Sequence, residues 1–355
     1  MIKYSVIFLA ALAVTNAHAG MLDLGAVMGG ANIFTVGDFT SHSSDVEGAI
    51  VSGGNVSING YSVNEKNAAA FVEYSIAAGG DIALSNGSIH NGKTYADGKT
   101  TFDGAPATPD AGSRPVDFNA TSRQFYTMAK DLSNVAATGT VEPLADGVIV
   151  QGSGIGDVDV FHVSSDLLRD SADWKLEGVT AGQTLIFNVS GERATFRNGG
   201  TSFESLADYN VLFNFYEARQ VDVRGVIGTV LAPFATMRAS SGVVKGNVIV
   251  DSWNSTVQVD AGNYFRPVEV PGFREAAVAK APPAKLPPPA KLVSAAMPSM
   301  DFPASDMSVA PMRVTMTPVE IPEPGTLALM AAGLCAVSWR VVRPLRDAVR
   351  GALPA

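Results

Sequence analysis

Four carboxylates have the spacing that most suggests chemistry in this chain. Asp38 and Asp45 fall close together with Glu47, and Asp157 and Asp159 alternate along a strand-like stretch. Alternate positions of a strand share one face, and calcium is held by about six to eight oxygens. The same residues equally suit solvated turns that keep sheet edges soluble. The histidines left after a leader is removed are His42, His90 and His162, far apart and without His-x-His or His-Glu-x-x-His spacing. They read as surface or turn residues and not as metal ligands. Gly152-Ser153-Gly154-Ile155-Gly156 has the look of a phosphate loop but lacks a following Lys-Ser/Thr and a helix, so it reads as a corner between strands. No Gly-x-Ser-x-Gly elbow occurs. The expectation is a chain without catalytic residues or cofactor, with Asp38, Asp45, Asp157 and Asp159 as the calcium candidates.

The elements that would position these residues are mostly strands. With 35 glycines, 46% hydrophobic and only 17% charged residues, the composition describes a β-rich domain with many turns. Short runs of period two recur at Ala49 to Val51, Val56 to Ile58, Asp81 to Leu84, Val148 to Gln151, Leu185 to Val189, Val211 to Phe215, Val221 to Val223, Val248 to Val250 and Val257 to Val259. Several follow one idiom, a glycine, one or two residues, then Val or Ile, as in Gly54-Asn55-Val56 and Gly246-Asn247-Val248. A glycine corner before each strand is what a β-solenoid requires, with a β-sandwich as the alternative. Asp117 to Ala137 places Phe125, Met128, Leu132 and Val135 on one stripe and predicts a long amphipathic helix packed against the sheet. Alanine-rich Asn64 to Ala78 predicts a second helix, and Asn86 to Pro115 an exposed loop.

The ends carry addresses. Lys3, the apolar run Val6 to Val14 and Ala17-His18-Ala19 read as a signal peptide over 1–19, cleaved by signal peptidase between Ala19 and Gly20. A β domain follows over 20–266. From Pro267 to Pro324 the chain holds 13 of its 20 prolines, so 267–320 reads as a semi-rigid, disordered spacer. Pro322-Glu323-Pro324 is then an extended ribbon suited to a protease cleft. A transmembrane helix is expected over 326–342, and Arg340, Arg343 and Arg346 form a basic anchor that stays cytoplasmic. Cys335 is the single cysteine and lies inside that span, so the exported domain folds without disulfides. The net charge of -9 argues against a nucleic-acid partner.

Taken together, Pro322-Glu323-Pro324, the short apolar span and the arginine cluster resemble the PEP-CTERM signal over 321–350. That resemblance implies a Gram-negative envelope, processing by an exosortase at the inner membrane, and a connection with exopolysaccharide. A second resemblance covers nearly the whole head. Ala31-Asn32-Ile33-Phe34-Thr35-Val36-Gly37-Asp38-Phe39, Asp45-Val46-Glu47-Gly48, Ser52-Gly53-Gly54-Asn55-Val56, Val211 to Phe215, Gly228 to Pro233 and Gly246-Asn247-Val248 look like the choice-of-anchor A domain. Its Leu-Ala-Pro block is also similar to the β-solenoid of ice-binding adhesins, in which a helix lies along the solenoid. The chain departs from that pattern at Phe234 and Met237, where small polar residues are usual. The resulting expectation is an exported, non-catalytic surface or biofilm-matrix protein. A polysaccharide- or ice-binding module is the alternative, marked by a Thr ladder that the sequence does not show as Thr-x-Thr. A β-helix polysaccharide-degrading enzyme would require clustered carboxylates or Arg/Lys in one groove.

Overall fold

Glycine corners and short β-branched runs wind the chain into stacked turns of strand. The computed structural model describes residues 19–274 apart from 67, 108–112, 170–172 and 197–200; the calls on the leader core, the spacer from residue 275 on, Pro322-Glu323-Pro324, the 326–342 span and Arg340, Arg343 and Arg346 lie outside the described residues.

The chain enters through β1 (Ala19–Leu22) and a short helix α1 (Leu24–Met28). It then runs through β2 (Ile33–Thr35), β3 (Phe39–Val46), β4 (Ile50–Ser52), β5 (Val56–Val63), β6 (Tyr74–Ala78), β7 (Ile82–Ser85) and β8 (Ser88–Ile89). β9 (Lys93–Ala96) and β10 (Thr100–Phe102) follow, and β11 (Ala105–Ala107) folds back antiparallel on β10. After α2 (Phe118–Ser133) come β12 (Thr140–Pro143), β13 (Gly147–Gln151), β14 (Val158–Ser164), α3 (Ser165–Arg169) and β15 (Asp173–Glu177). The rest comprises β16 (Thr184–Ser190), β17 (Arg193–Phe196), β18 (Asn210–Asn214), β19 (Gln220–Val223), β20 (Gly225–Ile227), β21 (Thr229–Met237), β22 (Val243–Lys245), β23 (Val248–Asn254), β24 (Gln258–Asp260) and β25 (Val268–Pro271).

The first face of the stack is the parallel series β14-β16-β18-β21-β23-β2-β4-β6-β9. The second runs β17-β19-β21-β23-β3-β5-β7-β10, the later halves of β21 and β23 turning the corner to join it. A third contains β20-β22-β24 and continues through the ends of β3 and β5 to β8. The last full turn, at β23, lies against the first, at β2, so the two halves of the chain share one continuous stack. β1 and β25 pair antiparallel, Gly20 opposite Val270, and tie the two ends of the head together.

Two apolar layers hold this arrangement. Inside the stack, Phe161, Phe187 and Phe213 sit in register, their rings stacked with centroids 4.9 and 5.1 Å apart. Outside the first face, Leu231, Ile249, Phe34, Val51 and Ala77 form a row in which each residue is fully buried. The stripe Phe125, Met128, Leu132 of α2 packs in the same outer layer, with Phe125 against Phe34 at 4.9 Å. Strands buried on both faces read as continuous apolar runs, which is why Tyr74–Ala78 has no exposed position. Asp117 caps α2 by accepting from the Ala120 N–H at 3.0 Å.

The expected main helix and all nine expected strand runs overlap the observed elements. Three boundaries change. Asn64 to Ala78 is not a helix: Asn64, Phe71 and Val72 have positive φ, and the segment ends in β6, a central strand. Asn86 to Pro115 is not a plain loop, because β8, β9, β10 and β11 lie within it. The head also continues past Arg266, since β25 pairs with β1 and Phe273 is buried. Among the described residues no helix is long and apolar enough to cross a membrane.

Candidate binding face

The glycine idiom has a structural cause. At successive corners Gly37-Asp38, Gly54-Asn55, Gly80-Asp81 and Gly98-Lys99 stack on one another. The Asn55 N–H donates to Asp38 Oδ1 at 2.7 Å, the Asp81 N–H to Asn55 Oδ1 at 2.8 Å, and the Lys99 N–H to Asp81 Oδ1 at 2.7 Å. Each side chain supplies the acceptor that the next turn's backbone would otherwise lack. The glycines are needed for close approach: a Cβ on Gly54 would run into Asp38 Oδ1 and the Gly37 backbone.

Because every turn leaves this corner in register, the residue two places further on always points outward. The outcome is a row across the second face, Asn254, Thr40, Ser57, Ala83 and Thr101, aligned strand to strand through β23, β3, β5, β7 and β10. Beside it runs a second row, His42, Asn59 and Ser85. At ~4.8 Å between strands the first row spans about 19 Å. Its inward neighbours Phe39, Val56, Ile58 and Ile82 are buried, which fixes the face as rigid backing. These side chains are short hydroxyls, an alanine, amides and the His42 imidazole, and all but Asn254 line an open depression together with Gly104. The face offers regularly spaced hydrogen-bonding groups on a flat scaffold.

The sequence concealed this row. The corners that launch Thr40, Ser57, Ala83 and Thr101 are 17, 26 and 18 residues apart, so no Thr-x-Thr signature arises. The usable signal was the outward residue two after each stacked corner: Asp38-Phe39-Thr40, Asn55-Val56-Ser57, Asp81-Ile82-Ala83, Lys99-Thr100-Thr101.

The four carboxylates are not brought together. Asp38 belongs to the corner ladder. Asp45 lies near Asp260, Glu65 and Glu47, and burial first, then these neighbours, raises its pKa above the ordinary carboxylate value. Asp260 is raised likewise, by burial and by Glu47. Glu47 is itself paired with Lys66 at 3.7 Å and accepts from the Ala261 N–H at 2.9 Å. Asp157 is exposed before β14, whereas Asp159 is fully buried and accepts from Thr138 Oγ1 at 2.7 Å, Gln183 Nε2 at 2.9 Å and the Ser153 N–H at 3.2 Å. The Gly152 to Gly156 loop therefore folds over Asp159 as a corner, with Ile155 exposed. Five strand spacings, ~24 Å, separate β14 from the turn containing Asp38 and Asp45, and among the described residues no three His, Cys, Asp or Glu cluster as a metal site would require.

The histidines are dispersed as expected. His42 is on the polar face, His90 bonds Ser88 Oγ at 2.8 Å, and His162 Nε2 donates to the Val135 carbonyl at 2.8 Å. Met237 points into the core, so the outward groups of that turn are Thr236 and Arg238. Ala19 and Gly20, the expected cleavage pair, lie in β1 opposite Pro271 and Val270.

Comparison with known proteins adds two findings. Residues 320–343 match the PEP-CTERM protein-sorting motif, which implies an exported protein processed by an exosortase. No curated protein and no solved structure matches the chain. The family model described as "Putative Ice-binding-like adhesive domain" matches residues 25–261, two thirds of the sequence, and the chain belongs to that family.

Proposed function

We propose that the protein is a non-catalytic adhesin-like module, displayed at the cell envelope or released into the extracellular matrix after exosortase processing. In this reading the stacked strands are a β-solenoid, and its flat second face is the working surface. The observation that carries it is the row Thr40, Ser57, Ala83, Thr101, in which one short side chain per turn projects at the strand spacing. A regular array of hydroxyl and amide groups matches an ordered, hydroxyl-rich surface such as packed polysaccharide, or ice. Rigid backing limits the ordering entropy lost on contact. The choice-of-anchor A resemblance fits the same plan of an exported head on a separable anchor. The membership in an adhesive-domain family and the sorting motif both support it.

The test compares cells that express the full chain with cells that lack it, on surfaces coated with purified exopolysaccharide and on ice. Retention of expressing cells on at least one surface, with no soluble sugar released, is the expected result. Release of oligosaccharide would favour a degrading enzyme, and equal retention of both cell types would remove the adhesin reading.

A further inference from the structure

A second site is built around an aromatic side chain at a corner of the stack. Phe234 follows Pro233 in β21, where the pairing with β23 shifts register between Ala232 and Thr236. Its ring stacks on Tyr126 of α2, centroids 4.7 Å apart and planes 18° from parallel. Lys130 Nζ lies 5.4 Å from the Phe234 centroid and 5.5 Å from that of Tyr216. The Arg219 guanidinium carbon is 5.7 Å from Phe234. All three rings are half-buried, while Lys130 and Arg219 are exposed. Asp251 lies close enough to interact with Arg219 and Tyr126.

Two physical points select the ligand class. A partly exposed ring platform retains an apolar cost that a flat partner can relieve, and the axial C–H face of a sugar ring is flat, apolar and matched to the negative face of an aromatic ring. Two cations lie over those rings, both within the ~6 Å in which a ring attracts a cation, with Asp251 beside Arg219 and Glu217 beside Tyr216. Arginine beside an aromatic plane is suited to carboxylate as well as to stacking. A simple anion has no use for the rings, and a neutral sugar has no use for the cations.

We infer that Tyr126, Tyr216 and Phe234, with Lys130 and Arg219, form a binding site for an acidic saccharide, a uronate-type unit whose ring stacks on the aromatic platform while its carboxylate meets the two cations. This site lies along the edge of α2 and is distinct from the row on the second face, so it stands or falls apart from the adhesin reading.

The experiment titrates the purified full chain calorimetrically with oligogalacturonate, with cellohexaose as the neutral sugar and polyglutamate as the sugar-free anion. Oligogalacturonate is expected to bind, and the Lys130→Gln/Arg219→Gln variant to bind it about tenfold or more weakly, equivalent to about 1.4 kcal/mol. Phe234→Leu, which keeps apolar bulk but removes the ring face, is expected to weaken binding with little change in melting temperature. Should Phe234→Leu misfold, the surface double variant decides alone. No binding of oligogalacturonate, equal binding of polyglutamate or cellohexaose, or unchanged affinity in the double variant would overturn the inference.

Discussion

Asn188 Nδ2 donates to the backbone carbonyl of Leu132 at 2.7 Å, a bond between the first face and α2 that joins residues 56 apart in sequence. Asn214 repeats it one strand on, donating to the Ala129 carbonyl at 2.9 Å and to Asn188 Oδ1 at 2.8 Å. His162, one strand earlier, donates to the Val135 carbonyl. The three acceptors are spaced three residues apart. Ala129 and Leu132 lie in α2 and Val135 just past its C-cap Asn134; three residues of α-helix rise ~4.5 Å, close to the ~4.8 Å between strands. The helix therefore crosses the strands with its own repeat in step with theirs.

Asn188→Ala removes the middle bond of this series and leaves the Asn214 amide short of a partner. A loss of about 1 to 3 kcal/mol is expected, the usual cost of an unsatisfied buried polar group. Denaturant unfolding measures it, and an unchanged midpoint would mean that apolar packing alone docks the helix.

Leu132 is fully buried on the stripe of α2. Leu132→Ala should cost about 2 to 5 kcal/mol, the range for a truncated core leucine. A change near half a kcal/mol, about that of surface sites, would contradict the placement of α2 over the first face.

Asp45 holds its proton more readily in the folded state than the ordinary value of 3.8, through burial and the repulsion of Asp260, Glu65 and Glu47. A raised carboxyl pKa favours folding at pH below the unfolded value, and that contribution is lost as pH rises through the folded value. Asp45→Asn should consequently raise the melting temperature at about pH 7, and the gain should vanish at about pH 3, where both side chains are neutral. Because Asp45 is only partly buried, the shift should be small. A variant less stable at neutral pH would contradict it.

Glu323 lies between the two prolines of the sorting motif. Glu323→Ala is expected to leave full-length precursor in the inner membrane. Mass spectrometry of the mature C-terminus reads the outcome directly, and identical processing in both proteins would contradict the role given to Pro322-Glu323-Pro324.

What the sequence disclosed follows from how each element is buried. α2 has one wet face, so Phe125, Met128 and Leu132 recur at helical spacing and the helix was legible. Tyr74–Ala78 was not, because it is buried on both sides and its alanines, which fit a crowded central position, are also strong helix formers. β9 and β10 lie at the end of the stack, where Lys93 is exposed and the buried Thr94 and Thr100 occupy the register positions that Ile76 and Ile82 fill one strand earlier, so the segment reads as loop. The polar face was hidden for a different reason. Its members come one per turn, and the turns differ in length, so register in space is not periodicity in sequence.

The central claim is that the row on the second face meets the adhesive target, and Ser57→Arg tests it most directly. Ser57 lies in the middle of that row, exposed, between Thr40 and Ala83. A long charged side chain there should lift any flat partner off the face while leaving the buried side of β5 intact. Binding of the purified full chain to exopolysaccharide or ice is measured alongside a control on α2, Asn119→Arg, an exposed position on the helix that packs over the first face. The account predicts that Ser57→Arg reduces adhesion by about tenfold or more, with Asn119→Arg at the level of the unaltered protein. Adhesion that survives Ser57→Arg at full strength would contradict it.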